Sequence, residues 1–356
     1  MARITLEGIA HTYDVRSANA ALKRLDHVWE QGRAYALLGP SGCGKTTLLN
    51  IISGLITPSE GRVLFDGKDV TQLPTEQRNI AQVFQFPVIY DTMSVGENLA
   101  FPLKNRGMDR RAIKSRVAEI ADLLGLTKEL SRRARGLTAE AKQKVSLGRG
   151  LVRADVAAIL LDEPLTVIDP SLKWELRSKL KAVHRALNLL MIYVTHDQVE
   201  ALTFADEVVV MKDGSVLQVA TPARLFEQPE HTFVGYFTGS PGMNLVAADV
   251  EGHVAHVAGH AIELGAHYPK VPAGSAVLGF RPDYASVVPN GGVPVQIRRL
   301  EDLGRRRLAR VALGPHEIFA TVPHGVPIDG AEAGLTIRQD RLFVYVNDEL
   351  VPGDRR

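Results

Sequence analysis

The sequence predicts two domains: an α/β domain with a parallel sheet over residues 1–237 and a small all-β, OB-like barrel over residues 238–356. In the first part, short apolar strands are followed by polar residues and then by helical stretches, which is the pattern of a parallel sheet with crossover helices. After Gly239-Ser240-Pro241-Gly242 the sequence changes to short β-branched runs broken by Gly, Pro and Asn. Evenly spaced runs of this kind are typical of a small barrel.

Three apolar strands define the predicted parallel sheet, at residues 34–38, 156–161 and 189–195. A glycine-rich loop and a helix that begins near Lys45 follow the first strand. Asp162-Glu163 follows the second strand, and His196 follows the third. Because the carboxyl ends of parallel strands meet at one edge of a sheet, these polar residues are expected to lie together, where such folds bind ligands.

A helical subdomain is predicted as an insert at about residues 86–153, because the apolar spacing there changes to a helical period. Its predicted helices include residues 110–124 and 139–152. In the C-terminal part, strands are predicted at residues 277–280, 293–297 and 342–346.

The composition is that of an ordinary folded protein. Of the 356 residues, 45% are hydrophobic and 23% are charged, and the formal net charge is +2. This charge gives no general argument for nucleic-acid binding, so no nucleic acid is expected as a partner. The single cysteine, Cys43, allows no internal disulfide, which favours a reducing compartment. The sequence shows neither a signal-peptide pattern nor an apolar run of about 20 residues, so a peripheral membrane role is expected.

The loop after the first strand matches the phosphate-binding pattern G-x-x-x-x-G-K-[ST] in full. In such a loop, backbone N–H groups wrap the phosphates, Lys45 reaches the outer phosphates and the Thr46 hydroxyl can ligate Mg²⁺. A simple glycine turn is the alternative, and the preceding strand and following helix disfavour it. The predicted nucleotide-binding residues here are Gly39, Pro40, Ser41, Gly42, Cys43, Gly44, Lys45, Thr46 and Thr47.

Cys43 lies inside this loop, beside Lys45 and the N-terminus of the predicted helix. A neighbouring cation and a helix N-terminus both lower the pKa of a thiol. The sequence therefore predicts a reactive thiol whose alkylation blocks nucleotide binding.

The polar residues at the strand ends suggest the remaining chemistry. Asp162 can hold the Mg²⁺ shell and Glu163 can polarise an attacking water, although an acidic pair at a strand end is also an ordinary surface feature. His196 lies where an imidazole could contact a γ-phosphate, although a lone histidine is more often structural. Gln85 is by itself a weaker signal. The order and spacing of the whole set are more informative than any single member.

The order of the phosphate loop, Gln85, a signature region, Asp162-Glu163, Asp169 and His196 resembles that of the ABC ATPases over the whole first domain. The resemblance implies an ATPase that uses ATP and Mg²⁺. It implies catalytic roles for Glu163, His196 and Gln85, and Mg²⁺ contacts for Thr46, Gln85 and Asp162.

The same resemblance assigns two further residues. Tyr13 stands where this family places an aromatic residue against adenine, and an ordinary half-buried tyrosine is the alternative. Asp169 would lie at the seam of an ATPase dimer.

The C-terminal part resembles the regulatory barrel of sugar and polyol importers, through residues 238–244 and Gly279-Phe280-Arg281-Pro282-Asp283. An importer is favoured over an exporter, since exporters usually fuse their ATPase to membrane helices. At finer grain the sequence resembles one of the two unlike ATPase subunits of the bacterial glycerol importer. The implied partners are transmembrane permease subunits, a second ATPase subunit and a periplasmic or surface solute-binding protein. The implied location is peripheral, at the cytoplasmic face of the inner (plasma) membrane.

The apolar segment Phe86-Pro87-Val88-Ile89-Tyr90 follows Gln85 directly at the start of the helical insert. It is predicted to form part of a groove for a helix of the membrane subunit. The alternative is that it belongs to the buried core of the subdomain.

The signature region departs from the family pattern. Where the family has L-S-G-G-Q, this chain has Leu137, Thr138, Ala139, Glu140 and Ala141. In ABC dimers this segment closes over the ATP that the opposite subunit holds. A Cβ atom at residues 139 and 140 obstructs close backbone approach, and a carboxylate at residue 140 faces an anion. An unlike partner with an intact signature is therefore expected, and harmless drift is the alternative.

Two other functions stay open at this point. A non-transport ABC ATPase usually carries long coiled coils or two tandem ATPase units, which this sequence lacks. A largely regulatory, ATPase-like subunit is favoured by the altered signature and disfavoured by the intact Glu163 and His196. An ATP-hydrolysing subunit for uptake of a polyol or sugar, with glycerol favoured, is the expected function.

Overall fold

The computed structural model describes residues 3–14, 20–269, 271–272, 274–304, 306–328 and 330–354. The chain forms two compact units, residues 1–222 and 223–356. Within the described residues, no helix is both long and apolar enough to cross a membrane.

The strands and helices of the first unit are β1 (Ile4–His11), β2 (Leu22–Trp29), β3 (Ala34–Leu38), α1 (Lys45–Ser53), β4 (Glu60–Phe65), β5 (Lys68–Asp69), β6 (Ile80–Val83), α2 (Val95–Lys104), α3 (Arg110–Leu123), α4 (Ala139–Leu151), β7 (Ala158–Asp162), α5 (Pro170–Leu187), β8 (Leu190–Thr195), α6 (Gln198–Phe204), β9 (Glu207–Lys212) and β10 (Ser215–Ala220).

A six-stranded sheet in the order β10-β9-β3-β8-β7-β6 positions the candidate site. Its neighbouring strands are parallel except for β10, which pairs antiparallel with β9. Strands β3, β7 and β8 are buried at every residue, as expected when both faces of a parallel sheet are covered. The prediction for β3 is confirmed at both ends, whereas β7 and β8 begin slightly later than predicted. A smaller antiparallel sheet, β2-β1-β4-β5, belongs to the same unit.

Helices α2, α3 and α4 form the helical insert between β6 and β7, as the sequence predicts. Helices α3 and α4 begin at the predicted residues and each ends one residue earlier than predicted. Leu99, Ile120 and Val145, one from each helix, are buried in the same apolar core. Gly148 lets α4 approach α2, because a Cβ atom there would lie 2.5 Å from Leu99 Cδ2.

The second unit contains the predicted closed barrel, in the strand order β14-β17-β16-β15-β18, and a five-stranded sheet, β12-β11-β13-β19-β20. Closure removes the exposed sheet edges and encloses a core that includes Val287, Val311, Ile318 and Leu335. From residue 222 onward the elements are α7 (Pro222–Glu227), α8 (Thr232–Phe237), β11 (Asn244–Val257), β12 (His260–Tyr268), β13 (Ala276–Phe280), β14 (Ala285–Val288), β15 (Val293–Asp302), β16 (Arg307–Leu313), β17 (His316–Val322), β18 (Glu332–Ile337), β19 (Phe343–Val346) and β20 (Glu349–Leu350).

The boundary between the units falls after residue 222, earlier than the predicted boundary near residue 238. One reason is Arg281, whose buried guanidinium donates hydrogen bonds to the carbonyls of Leu225 (3.2 Å), Phe226 (2.6 Å) and Gly235 (3.2 Å) and to the Thr238 hydroxyl (3.0 Å). Burial lowers the pKa of Arg281 to about 10. The two short helices α7 and α8 are therefore tied to the strand that precedes Arg281.

Candidate nucleotide-binding site

The loop between β3 and α1 has a backbone that requires glycine. Gly44 is the N-cap of α1 and has a φ of 100°, and a Cβ atom there would lie 2.5 Å from the carbonyl oxygen of Ala21. A Cβ atom at Gly39 would lie 2.3 Å from the carbonyl oxygen of Met211. The N-cap supplies no side-chain hydrogen bond, and the first turn of α1 contains no acidic residue. The first N–H groups of α1 are therefore available to an external anion.

Lys45 is a buried cation held by backbone oxygens. Its Nζ donates to the carbonyls of Gly39 and Pro40, both at 2.8 Å. Within the described residues, Lys45 forms no ion pair with a carboxylate, although only 5% of the residue is exposed. A buried ammonium group needs a counter-charge, so this arrangement suits an anionic phosphate.

Cys43 does not have the reactive thiol that the sequence predicts. The side chain is buried, and its Sγ lies 3.8 Å from Lys45 Nζ. Burial raises the pKa of the Cys43 thiol, and this effect outweighs the lowering by the charge of Lys45. The prediction of a lowered pKa is wrong because it counted the neighbouring charge and the helix N-terminus but not the loss of solvent.

Thr46 and Asp162 place two oxygen donors side by side. The Thr46 hydroxyl donates to Asp162 Oδ1 at 3.4 Å, a long hydrogen bond that joins the start of α1 to the end of β7. Burial raises the pKa of Asp162, while the hydrogen bond from Thr46 lowers it. A hydroxyl, a carboxylate and the amide oxygen of Gln85, whose Nε2 contacts the neighbouring Glu163, are the donor types that Mg²⁺ prefers, so the residues present fit that ion.

Glu163 is the centre of a hydrogen-bonded group that brings together the three predicted catalytic residues. Its Oε1 lies 3.0 Å from His196 Nδ1, and its Oε2 accepts from Gln85 Nε2 at 3.2 Å. Glu163 has a φ of 44°, an uncommon backbone conformation for a side chain of this size. The side chain is held at the sheet edge, largely shielded from solvent, beside the phosphate loop.

Thr166 is a member of this group that the sequence reading missed. Its hydroxyl donates to Glu163 Oε2 and to the Glu163 carbonyl, at 3.2 and 3.1 Å. A threonine three residues after a strand-end glutamate can fold back onto it, as serine and threonine hydroxyls do in turns. That spacing is the signal that could have identified it.

Tyr13 lies next to the phosphate loop and is not the half-buried tyrosine of the alternative reading. Its hydroxyl is 3.0 Å from Thr47 Oγ1, and the residue is 66% exposed. His11 packs edge-on against its ring, with the ring centroids 4.7 Å apart. This leaves an aromatic face open to solvent.

The signature residues lie at the start of α4, and their polar side chains bond to other groups of the same helix. Thr138 is the N-cap, and its hydroxyl accepts from the backbone N–H of Ala141 at 3.2 Å. Glu140 Oε1 pairs with Lys144 Nζ at 2.5 Å, one helical turn away. Leu137 is buried, whereas Ala139 is exposed. The sequence reading did not include the Glu140–Lys144 pair, which partly compensates the carboxylate.

Asp169 is exposed and caps the N-terminus of α5. Its Oδ1 accepts from the backbone N–H of Ser171 at 2.8 Å and from the Ser171 hydroxyl at 2.5 Å. The Ser171 hydroxyl, and then its N–H, lower the pKa of Asp169. Asp169 therefore has a structural role within the chain, and its side chain is still accessible.

The apolar segment after Gln85 is divided between surface and core. Phe86, Val88 and Tyr90 are exposed, whereas Ile89 packs against the core of the helical insert. Val88 also lines a cavity of about 220 Å³ together with Phe84. The alternative, a segment that belongs to the buried core of the subdomain, therefore describes only Ile89, which is partly buried against that core.

Comparisons with known proteins give relatives for both units. The family described as ABC transporter matches residues 22–166. The chain is 37% identical over 351 residues to the sn-glycerol-3-phosphate import ATP-binding protein UgpC of Escherichia coli O6:H1, with 97% of this chain and 98% of that protein covered. The protein of the same name from Vibrio cholerae serotype O1 is 36% identical over 332 residues, with 92% and 88% covered.

A solved structure is similar to part of the chain. It is a dimeric ATP-binding cassette in a post-hydrolysis state, bound to ADP and phosphate, and it is 26% identical in sequence. The TM-score is 0.56, and the match covers 62% of this chain and 98% of that one.

Proposed function

Because this chain belongs to the ATP-hydrolysing, ATP-binding subunits of ABC transporters, we propose that it powers uptake of a polyol, glycerol being favoured, through a permease at the cytoplasmic face of the membrane. The proposal is supported by the full-length similarity to import ATP-binding proteins named for sn-glycerol-3-phosphate, which extends through the barrel. A permease and a solute-binding protein would complete the system.

The proposed chemistry assigns a task to each group. Lys45 and the free N–H groups at the start of α1 would bind the phosphates of ATP. Thr46, Asp162 and Gln85 would hold Mg²⁺, which neutralises phosphate charge when bound.

The observation that carries this assignment is the orientation of Glu163 by hydrogen bonds from Gln85 and Thr166 and its contact with His196. Glu163 would accept a proton from the attacking water. With Nδ1 of His196 directed at Glu163, its Nε2 would remain for the γ-phosphate. Tyr13 would stack on adenine.

We further propose that the protein works in an unlike pair, with Asp169 at the seam between the two ATPase subunits. Two copies of this chain would build two sites, each closed by Thr138-Ala139-Glu140. A partner with an intact signature would complete the site that contains Glu163, and the opposite site would be weak. One of the two sites would then perform nearly all the hydrolysis.

Purification of the tagged chain with its bound partners tests this proposal. We expect permease subunits and a second ATPase subunit, and the assembled complex should hydrolyse ATP about 10²-fold faster per site than the isolated chain, because removal of a preorganised donor costs this much. An isolated chain that dimerises and matches the complex per site would contradict the unlike pair. A complex that binds ATP but owes its turnover entirely to the second subunit would indicate the regulatory role instead.

The permease contact is proposed to include Phe86, Val88 and Tyr90, the exposed part of the apolar segment. Val88→Asp should reduce recovery of permease subunits with the tagged chain, because a charge would be buried in an apolar contact. Assembly unchanged from wild type would exclude this surface.

A further inference from the structure

A second cavity, of about 300 Å³, lies between α5 and α6 and contains none of the residues assigned to nucleotide binding. The α5 residues that line it are spaced so that they share one face of the helix. Three of its lining side chains are basic, and none is acidic. The side chains that matter here are Trp174, Arg177, Ser178, Lys181, Arg185 and Thr203.

Arg177 is the unusual member of this group. Only 6% of it is exposed, and its guanidinium makes no hydrogen bond or ion pair with any part of the chain that the structure describes. Burying a cation without a counter-charge is unfavourable, and native proteins satisfy such groups with a partner. A guanidinium that belongs to a nearly buried residue, opens onto a cavity and has no partner therefore suits an anion that the isolated chain does not supply.

Two acidic residues that pair with lysines of α5 are already engaged. Asp206 pairs with Lys181 at 3.0 Å, and Glu200 pairs with Lys173 at 3.0 Å. Glu200 also accepts hydrogen bonds from Tyr193 and Thr195. The charge of Lys181 is thus compensated, whereas that of Arg177 is not.

Arg185 adds a second uncompensated guanidinium. It is exposed and has no ion-pair partner among residues 3–14, 20–269 and the later described segments. Trp174, which is 68% exposed, lines the same cavity. Tryptophan and arginine are, with tyrosine, enriched among the residues that contribute most to binding at protein–protein interfaces.

We propose that this cavity binds a phosphate or carboxylate group, held by Arg177 and Arg185 beside the indole of Trp174. Guanidinium groups bind both oxyanions through paired N–H donors. The group could belong to a free small anion or to an acidic side chain of a partner subunit. The residues of this site have no part in ATP binding, so binding of a free anion does not depend on the proposed function, whereas occupation by a partner's carboxylate rests on the proposed assembly with other subunits.

Binding of a free anion can be measured on the full-length chain by fluorescence. The loop at residues 39–47 is first saturated with Mg-ADP, and inorganic phosphate or succinate is then added at constant ionic strength. Trp29 is fully buried, and a Trp174→Phe variant separates the signal of Trp174 from it. We expect a saturable change that depends on Trp174.

Matched variants assign this change to the cavity. Arg177→Gln should weaken binding about tenfold or more, because it removes charge-assisted hydrogen bonds, and Arg185→Gln should weaken it less. Lys179→Gln is the control, since Lys179 is on the same helix, pairs with Glu175 and does not line the cavity. Because Arg185 is exposed, its variant keeps the test valid if Arg177→Gln lowers the melting temperature.

Occupation by a partner's carboxylate is measured on the assembled transporter. A Ser178→Cys variant places a thiol at the cavity, and mass spectrometry follows its alkylation. Assembly without added anion should slow alkylation several-fold, and Arg177→Gln should abolish that protection. The proposal is overturned if neither phosphate nor succinate gives a saturable change and assembly gives no protection that depends on Arg177. Equal responses in wild type, Arg177→Gln and Arg185→Gln would overturn it as well.

Discussion

The N-termini of α1 and α4 have opposite chemistry, although both are expected to face phosphate in an ATPase dimer. At α1 the N-cap is Gly44, which has no side chain to accept from the first N–H groups, and the first turn has no acidic residue. At α4 the hydroxyl of Thr138 occupies the N–H of Ala141, and Glu140 lies in the first turn. One helix leaves its positive end for a ligand, and the other satisfies it internally.

The difference shows how ligand binding and local stability compete at a helix end. A side-chain N-cap contributes about 1 kcal/mol to helix stability, and an acidic residue in the first turn adds to it through the helix dipole. The side-chain N-cap occupies an N–H donor that an external anion would need. The acidic residue reduces the positive electrostatic potential at the helix end. The sequence of α4 therefore favours stability of the helical insert, and that of α1 favours phosphate binding.

The largest expected effect is on ATP turnover, and it comes from substitutions in the site around the phosphate loop that precedes α1. Glu163→Gln should lower ATP turnover of the assembled complex by about 10²- to 10⁴-fold, because it removes the group proposed to accept a proton. Equilibrium binding of ATP should be retained, whereas Lys45→Ala should lose it. Turnover within about twofold of wild type would reject Glu163 as the base.

The altered signature at the N-terminus of α4 can be restored towards the family pattern by substitution. In the isolated chain, Ala139→Gly with Glu140→Gly should raise ATP turnover by up to about 10²-fold, because amide donors could again approach a phosphate across the interface. The same change should lower the melting temperature, since glycine in a helix costs about 0.5–1 kcal/mol per residue. Ala112→Gly in α3 is a control for the loss of helix stability alone. If ATP turnover does not rise, the altered signature residues have no effect on hydrolysis, which is the alternative of harmless sequence drift.

Adenine binding should be affected less. Tyr13→Ala should weaken ATP binding about tenfold, because stacking on an aromatic ring contributes about 1–3 kcal/mol per base. Tyr13→Phe removes only the hydroxyl that contacts Thr47, so its affinity should stay near that of wild type. Titration of both variants with a fluorescent ATP analogue measures the two effects, and equal losses would assign the role to the hydroxyl.

The smallest effect concerns the pair between Glu140 and Lys144. Lys144→Gln should lower turnover of the isolated chain by about twofold, since helical ion pairs one turn apart contribute about 0.3–0.5 kcal/mol. The decrease should disappear when Glu140 is also replaced by Gln. A decrease that persists in the double variant would show that Lys144 acts independently of Glu140.

The sequence predicted the sheet and the position of the site well, because strands buried on both faces and a glycine-rich loop leave strong local patterns. The meeting of Glu163, Gln85 and His196 follows from parallel topology combined with the family resemblance. These residues are far apart in the chain, so their common location is a property of the fold.

What the sequence did not reveal depends on burial and on specific side-chain partners. The raised pKa of the Cys43 thiol follows from its burial, which a short motif does not encode. Lys144 Nζ donates a hydrogen bond to Glu140 Oε1, and this contact depends on the conformations of both side chains. Likewise, Arg177 could be recognised as lacking a counter-charge only once its surroundings were known.

Arg281 also limits how this protein could be divided or recombined. A cut after residue 237 would remove the Leu225, Phe226 and Gly235 carbonyls and leave a buried guanidinium stripped of those three acceptors. An exchange of the C-terminal unit between relatives would be tolerated only if the crossover fell before residue 223. The smallest exchangeable module that contains the barrel thus includes α7 and α8, two helices that the sequence alone assigns to the α/β domain.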